Sequence, residues 1–153
     1  MLQDNKKSKT KPASSFQSWK GHHAGIRVPN FEEAVAWYCG KLDFRLTQSS
    51  ELGTTKLGFL SPAGDDAFGI ELLANPDGAE RPSYQNLGGS HNLMGWHHIC
   101  FRADDLSASI AALERRGVKI VSAPFDAPAF GIRFAFFSDP WGNLFELFED
   151  IAA

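Results

Sequence analysis

Apolar positions along this chain change their period twice, in the same order each time. From Phe31 to Leu42 (FEEAVAWYCGKL), residues Phe31, Val35, Tyr38 and Leu42 recur three or four apart, which predicts an amphipathic helix. From Leu106 to Gly117 (LSASIAALERRG), residues Leu106, Ile110 and Leu113 do the same. Asn30 and Asp105 stand where side chains cap helix starts, and Gly117 suits a helix C-terminus. Strand-like runs follow each helix. In the first half they are Phe44–Ser49, Thr54–Leu60 and Phe68–Leu73, with the turn Ser61-Pro62-Ala63-Gly64. In the second they are Val118–Ser122, Ile132–Ser138 and Asn143–Glu149, with the turn Asp139-Pro140-Trp141-Gly142. A short segment opening on histidine precedes each helix, so each half reads β-α-β-β-β. The fold class is α+β, built of two tandem modules.

The two halves align residue by residue. His23 and His98, Arg27 and Arg102, and Glu71 and Glu146 are each 75 positions apart. Three chemically matched pairs at one offset, in matching local context, mark an internal repeat. Module one spans residues 21–74 and module two 96–150 of a single domain at 21–150. Residues 75–95, rich in Gly, Pro, Asn and Ser, form the connector.

Side chains alternate along a strand, so His23, Gly25 and Arg27 share one face, as do His98, Cys100 and Arg102. If the apolar faces pack on the helices, the opposite faces carry His, Glu and Arg. Such groups are costly to bury without partners. One divalent metal ion (Zn, Ni, Mn, Co or Fe) is the simplest partner for His23, Glu71, His98 and Glu146. The same alternation puts His22 and His97 on the face away from the site. His91 falls in the connector as a solvated side chain, and Trp96 and Trp141 flank the site as candidate walls.

Composition narrows the class. Apolar residues make up 43% of the chain, with 13 Phe and 4 Trp, enough for a packed core. Residues 1–20 carry five Lys against one Asp and read as a solvated, disordered basic tail. The remainder is acidic at about −7, which argues against a nucleic-acid partner. No apolar run approaches the ~18–20 residues that span a bilayer, and no secretory leader pattern opens the chain. Two cysteines, Cys39 and Cys100, without metal or redox spacing, read as reduced thiols of a cytoplasmic protein.

The stretches GHHAGIRVPNFEEAVAWYCGKLDF, FGIELLANPD, GWHHICFRADDL and SDPWGNLFELFE resemble the vicinal oxygen chelate superfamily, which groups glyoxalase, bleomycin resistance and extradiol dioxygenase proteins. The resemblance covers about residues 21–150. It implies a half-open barrel-like sheet around the metal, and the His, Glu, His, Glu set looks like that of a glyoxalase I-like member. It then implies a metal-dependent lyase or isomerase. Such an enzyme moves a proton on a metal-chelated small-molecule substrate such as a glutathione hemithioacetal. Glu146 is the base and Glu71 its partner across the metal. Arg27 and Asn75 match glutathione-binding positions, and Arg102 is a further anchor for an anionic substrate. Members are often homodimers, and some build the site from two chains; four ligands in one chain leave both arrangements open. One departure is Leu42-Asp43-Phe44, where the family has Leu-Gly-Phe. Two alternatives stand beside this reading: a non-catalytic drug-binding protein like the bleomycin resistance members, and an extradiol-type dioxygenase.

Overall fold

The computed structural model describes residues 14–80 and 82–151. Two four-stranded sheets account for most of it. Module one contains β1 (His23–Val28), α1 (Phe31–Leu42), β2 (Arg45–Leu52), β3 (Thr55–Ser61) and β4 (Gly69–Ala74). A short helix, α2 (Leu87–Ser90), interrupts the connector. Module two contains β5 (Ile99–Arg102), α3 (Leu106–Arg115), β6 (Lys119–Ala127), β7 (Ile132–Ser138) and β8 (Leu144–Asp150), with a 3₁₀ turn at Pro128–Phe130. The sheet orders, β1-β4-β3-β2 and β5-β8-β7-β6, are the same topology twice. In each, the first strand runs parallel to the last, and the remaining pairs are antiparallel. This is the tandem β-α-β-β-β arrangement expected from the sequence. Of the expected tail, residues 1–13 lie outside the described residues. Residues 14–20 carry a turn in which Phe16 and Trp19 are exposed, with ring centroids 4.8 Å apart.

The helices form where the caps allow. Asn30 Oδ1 accepts from the Glu33 N–H (3.0 Å), and Asp105 Oδ1 accepts from the Ala108 N–H (2.8 Å). Phe31, Ala34 and Tyr38 are buried on α1, as are Leu106, Ile110 and Leu113 on α3. α1 ends at Asp43, which adopts the left-handed region at φ 56°. That conformation explains the glycine the family places there. No helix among the described residues is long and apolar enough to cross a membrane.

One core spans both modules. Ile26, Val28, Leu60, Ile70 and Leu72 join Ala135, Phe137 and Phe145 in a single buried cluster with the helical side chains. Polar contacts stitch the modules together. Lys41 Nζ donates to Arg116 O (2.5 Å) while Arg116 Nη1 donates to Lys41 O (2.9 Å). Positions 41 and 116 are equivalent in the repeat, so this reciprocal pair marks its pseudo-twofold axis. Tyr38, from α1, donates to Asp139 Oδ2 (2.6 Å) in the β7–β8 turn. Asp139 also accepts from Asn143 Nδ2 (2.6 Å), the Asn143 N–H (2.7 Å) and the Trp141 N–H (3.0 Å). Burial pushes the Asp139 carboxyl above its ordinary range, and these donors pull against that rise. Burial, then the Asp139 charge, pushes the Tyr38 phenol up as well.

Candidate metal centre

The modules pack through their apolar faces and loops, and the opposite sheet faces carry the repeated polar residues. On the first, Glu71 sits on β4 in register with Gly25, two residues along β1 from the His23–Gly69 pair. His23 Nε2 lies 3.5 Å from Glu71 Oε2. On the second, Glu146 is in register with Cys100, and His98 Nε2 lies 2.7 Å from Glu146 Oε2. Each histidine also meets a phenylalanine edge-on: His23 with Phe59 (5.0 Å between centroids), and His98 with Phe136 (5.2 Å). Phe59 is the register partner of Glu71, and Phe136 that of Glu146. The structure therefore builds one half-site twice, each presenting an imidazole nitrogen beside a carboxylate oxygen.

The spacing of these atoms fits an ion. Two ligands held about 2.1 Å from one metal stand about 3.0 Å apart at a right angle and about 3.4 Å apart at the tetrahedral angle. The observed 2.7 and 3.5 Å lie close to that range. The two pairs do not converge within one chain. Among the described residues, no three His, Cys, Asp or Glu side chains are placed to hold one ion together.

The remaining expected residues behave differently. Arg27 is exposed on the His23 face, and its carbonyl accepts from Asn143 Nδ2 (3.3 Å). Arg102 pairs with Asp150 on the surface (2.6 Å), which occupies its guanidinium. Asn75 Oδ1 closes a local turn by accepting from the Asp77 N–H (3.1 Å). Cys100 stands between His98 and Arg102 on the sheet, where the repeat has Gly25. Burial, then the Glu146 carboxylate, pushes its thiol up to about 12. Trp96 is 87% exposed, and Trp141 packs toward Tyr38 rather than beside either half-site.

Strand alternation misplaced one pair of residues. His22 and His97 do not point away from the site: His22 Nδ1 lies 2.8 Å from His23 Nδ1, and His97 Nδ1 lies 2.7 Å from His98 Nδ1. The reason is where the strands begin. β1 starts at His23 and β5 only at Ile99, so the preceding residues are not bound by the pleat. The doublet His-His, itself repeated at offset 75, was the available signal. His91, expected to be solvated, is exposed but brings its ring within 5.1 Å of His97. A cavity of ≈ 310 Å³ borders the first half-site, lined by His22, His23, Gln48, Phe59 and Asp66 among others. Another of ≈ 320 Å³ lies between the connector and β6, and none of the four candidate ligands lines it.

Residues 20–147 match the model of the Glyoxalase/Bleomycin resistance protein/Dioxygenase superfamily, and the chain belongs to that superfamily. Its relatives include the Escherichia coli protein YaeR, 34% identical, with 84% of this chain and 94% of YaeR covered. More distant are human mitochondrial methylmalonyl-CoA epimerase (26% identical, 82% of this chain, 71% of the epimerase) and the lactoylglutathione lyase of Schizosaccharomyces pombe. The lyase is 26% identical over 93% of this chain and 49% of its own length. A glyoxalase family protein from Enterococcus faecalis shares the fold at TM-score 0.69 and 23% identity, over 85% of this chain and 97% of that one.

Proposed function

We propose that the chain is a metal-dependent lyase or isomerase whose metal is shared between two copies: His23 and Glu71 from one protomer, His98 and Glu146 from its partner. The observation that carries this reading is the repeated His Nε2–Glu Oε2 pair, at 3.5 and 2.7 Å, on two sheet faces that do not meet within the chain. A half-site with two donors binds a cation weakly, and two half-sites supply four ligands with one or two positions left for substrate. Exchange between two identical chains, related by a twofold axis, unites unlike halves of the same repeat.

When bound, a divalent ion would supply Lewis acidity, stabilising the negative charge that develops on adjacent substrate oxygens. The protein does the rest. Glu146 removes a proton from the substrate carbon beside those oxygens; the electron pair of the broken C–H bond moves toward oxygen. Return of the proton to the neighbouring carbon, or to the opposite face of the same one, completes an isomerisation or an epimerisation. Glu71 balances the ion's charge from the other half-site. Arg27, exposed on the same face as His23, holds an anionic part of the substrate, and Asn75 presents its amide nearby. The named activities of the lyase and epimerase relatives support this class of chemistry. A glutathione hemithioacetal is the first substrate to try. Both cysteines are free, which suits a reducing cytoplasm.

The test is metal content of the purified protein, followed by assays with Ni²⁺, Zn²⁺ and Fe²⁺ on methylglyoxal plus glutathione, acyl thioester epimers and catechols. The reading expects metal-dependent turnover of a proton-transfer substrate, abolished in Glu146→Gln. No bound metal, no turnover and tight capture of an aromatic drug would replace it with a binding protein. Ring cleavage of a catechol with Fe²⁺ would replace it with an oxygenase.

A further inference from the structure

The cavity of ≈ 320 Å³ lies between the connector, the start of β6 and the β7–β8 turn. Ligand sites run from about 300 to about 1,000 Å³, so it is large enough for a small molecule. Val121, Pro140 and Trp141 give it apolar walls. Trp141 is half-buried, and its ring is backed by Trp37 and Tyr38, with centroids 6.4 Å away in each case. The polar groups of the lining have one sign. Among the described residues that line the cavity, Lys119 is the only charged side chain, and no carboxylate joins it. Asp139, between the lining residues Ser138 and Pro140, turns its carboxyl inward to Tyr38 and Asn143. Lys119 is exposed, and its Nζ has no ion pair or hydrogen bond among the described residues. Ser138 is its register partner on β7 and is 6% exposed. Its Oγ has no hydrogen bond among the described residues either, yet none of their fully buried side-chain polar atoms lacks a partner. The hydroxyl therefore opens into the cavity that Ser138 lines. Asn86 commits its Oδ1 to the Gly89 N–H (3.0 Å), which leaves its NH₂ group as a donor at the rim.

We propose that this cavity binds a small organic carboxylate with a flat apolar body, such as an arylalkanoate. The carboxylate pairs with Lys119 and accepts from Ser138 Oγ, while the ring lies against Trp141 and Pro140. One ammonium with no opposing acid suits a single negative charge. A dianion such as phosphate brings a second charge that no cation of the lining meets, and it makes no use of the apolar walls. Residues 21–153 carry a net charge of about −7, so the field of the whole chain does not gather anions here. The local lysine and the apolar contact must both contribute. The site is independent of the metal reading, since none of the four candidate ligands lines it. It joins the connector to β6 and to the turn that holds Tyr38 of module one, so an occupant ties the connector down onto module two.

Nitrogen–proton correlation spectra of the labelled full chain, titrated separately with 3-phenylpropanoate, 3-phenylpropanamide and inorganic phosphate, test the site. The acid is expected to bind with a Kd on the order of 1 mM. Its shifts should centre on the backbone N–H groups of Asn86, Lys119, Val121 and Trp141 and on the Trp141 indole N–H. The amide lacks the charge and Lys119→Gln lacks the cation, so each should weaken binding about tenfold. Lys119→Arg keeps the charge and should keep the affinity, while Ser138→Ala should weaken it by a smaller factor. Phosphate should leave these signals unmoved. Equal affinity for acid and amide, unchanged affinity in Lys119→Gln, shifts centred elsewhere or no shifts at all would each overturn the proposal. Phosphate that moves the same signals as strongly as the acid overturns the assignment of an organic ligand.

Discussion

Replacing Tyr38 with Phe removes one oxygen from the interior and leaves every apolar contact of the ring in place. Tyr38 Oη donates to Asp139 Oδ2 at 2.6 Å, and Tyr38 is fully buried. The partner carboxylate keeps its other three donors, from Asn143 and Trp141. A hydrogen bond to a charged group contributes about 1.5–3 kcal/mol. At about 2–4 °C per kcal/mol for a chain of this size, the variant should melt about 3–12 °C below the wild type. Asp139→Asn should also destabilise, for a different reason. Its amide NH₂ replaces an oxygen that now accepts from two donors. Asn143 can invert to receive it only by releasing the Arg27 carbonyl, which it holds at 3.3 Å.

The pH dependence follows from the raised folded value of Asp139. The folded chain holds that proton more tightly than the unfolded chain, whose carboxyl titrates near 3.9. The group's contribution to stability is therefore largest below the unfolded value and declines as pH rises through the folded one. Asn at this position has no such slope. Urea unfolding of wild type and Asp139→Asn from acid to neutral pH should show the wild type's margin narrowing with pH and then levelling off. Two-state fits with Tyr38→Phe included give the coupling between the pair. A Tyr38→Phe variant within about 0.5 kcal/mol of wild type, or a margin independent of pH, would show that this contact does not join the modules energetically.

Other outcomes follow from single contacts. Gly69→Ala adds a methyl group 2.4 Å from the Leu60 backbone oxygen, so the β3–β4 pairing must shift; a loss of about 2 kcal/mol or more by chemical denaturation is expected. In metal-free protein, Cys100, pushed up to about 12, should react with iodoacetamide very slowly at pH 8. Removing the neighbouring charge in Glu146→Gln should speed that reaction, and an unchanged rate would show that the carboxylate does not act on the thiol. Glu71→Gln and Glu146→Gln should each abolish the thermal stabilisation by Ni²⁺ or Zn²⁺ while leaving the apo melting temperature within a few degrees. Stabilisation that persists in both variants places the ion elsewhere.

Much of this architecture is legible in the sequence because the repeat is written in residues whose spacing topology preserves. His, Arg and Glu recur at 75 positions because β1 and β4 keep the same separation as β5 and β8. The helix starts were readable because Asn30 and Asp105 act locally on the N–H groups three residues on. Features that depend on tertiary placement were not visible. Phe59 and Phe136, equivalent in register, are 77 apart in number, so an offset search at 75 passes over them. Asp139 opens a turn whose counterpart in module one begins at Ser61, so nothing in the repeat pointed to its bond with Tyr38. Lys119 and Ser138 lie far apart in number, and their meaning depends on the fold that pairs them beside the connector. Alternation failed at His22 and His97 because it holds inside a strand and not one residue before it.

The central claim is that unlike halves of two chains hold one metal. Coexpressing Glu71→Gln and Glu146→Gln chains with different affinity tags, and isolating the mixed dimer, tests it most directly. If the site forms between chains, one of its two interfaces joins an intact His23–Glu71 pair to an intact His98–Glu146 pair. The mixed dimer then binds one Zn²⁺ per dimer and recovers half the wild-type activity, while each variant alone binds none. If every chain assembles its own site, each carries a lesion, and a mixed dimer with no recovered metal contradicts the account.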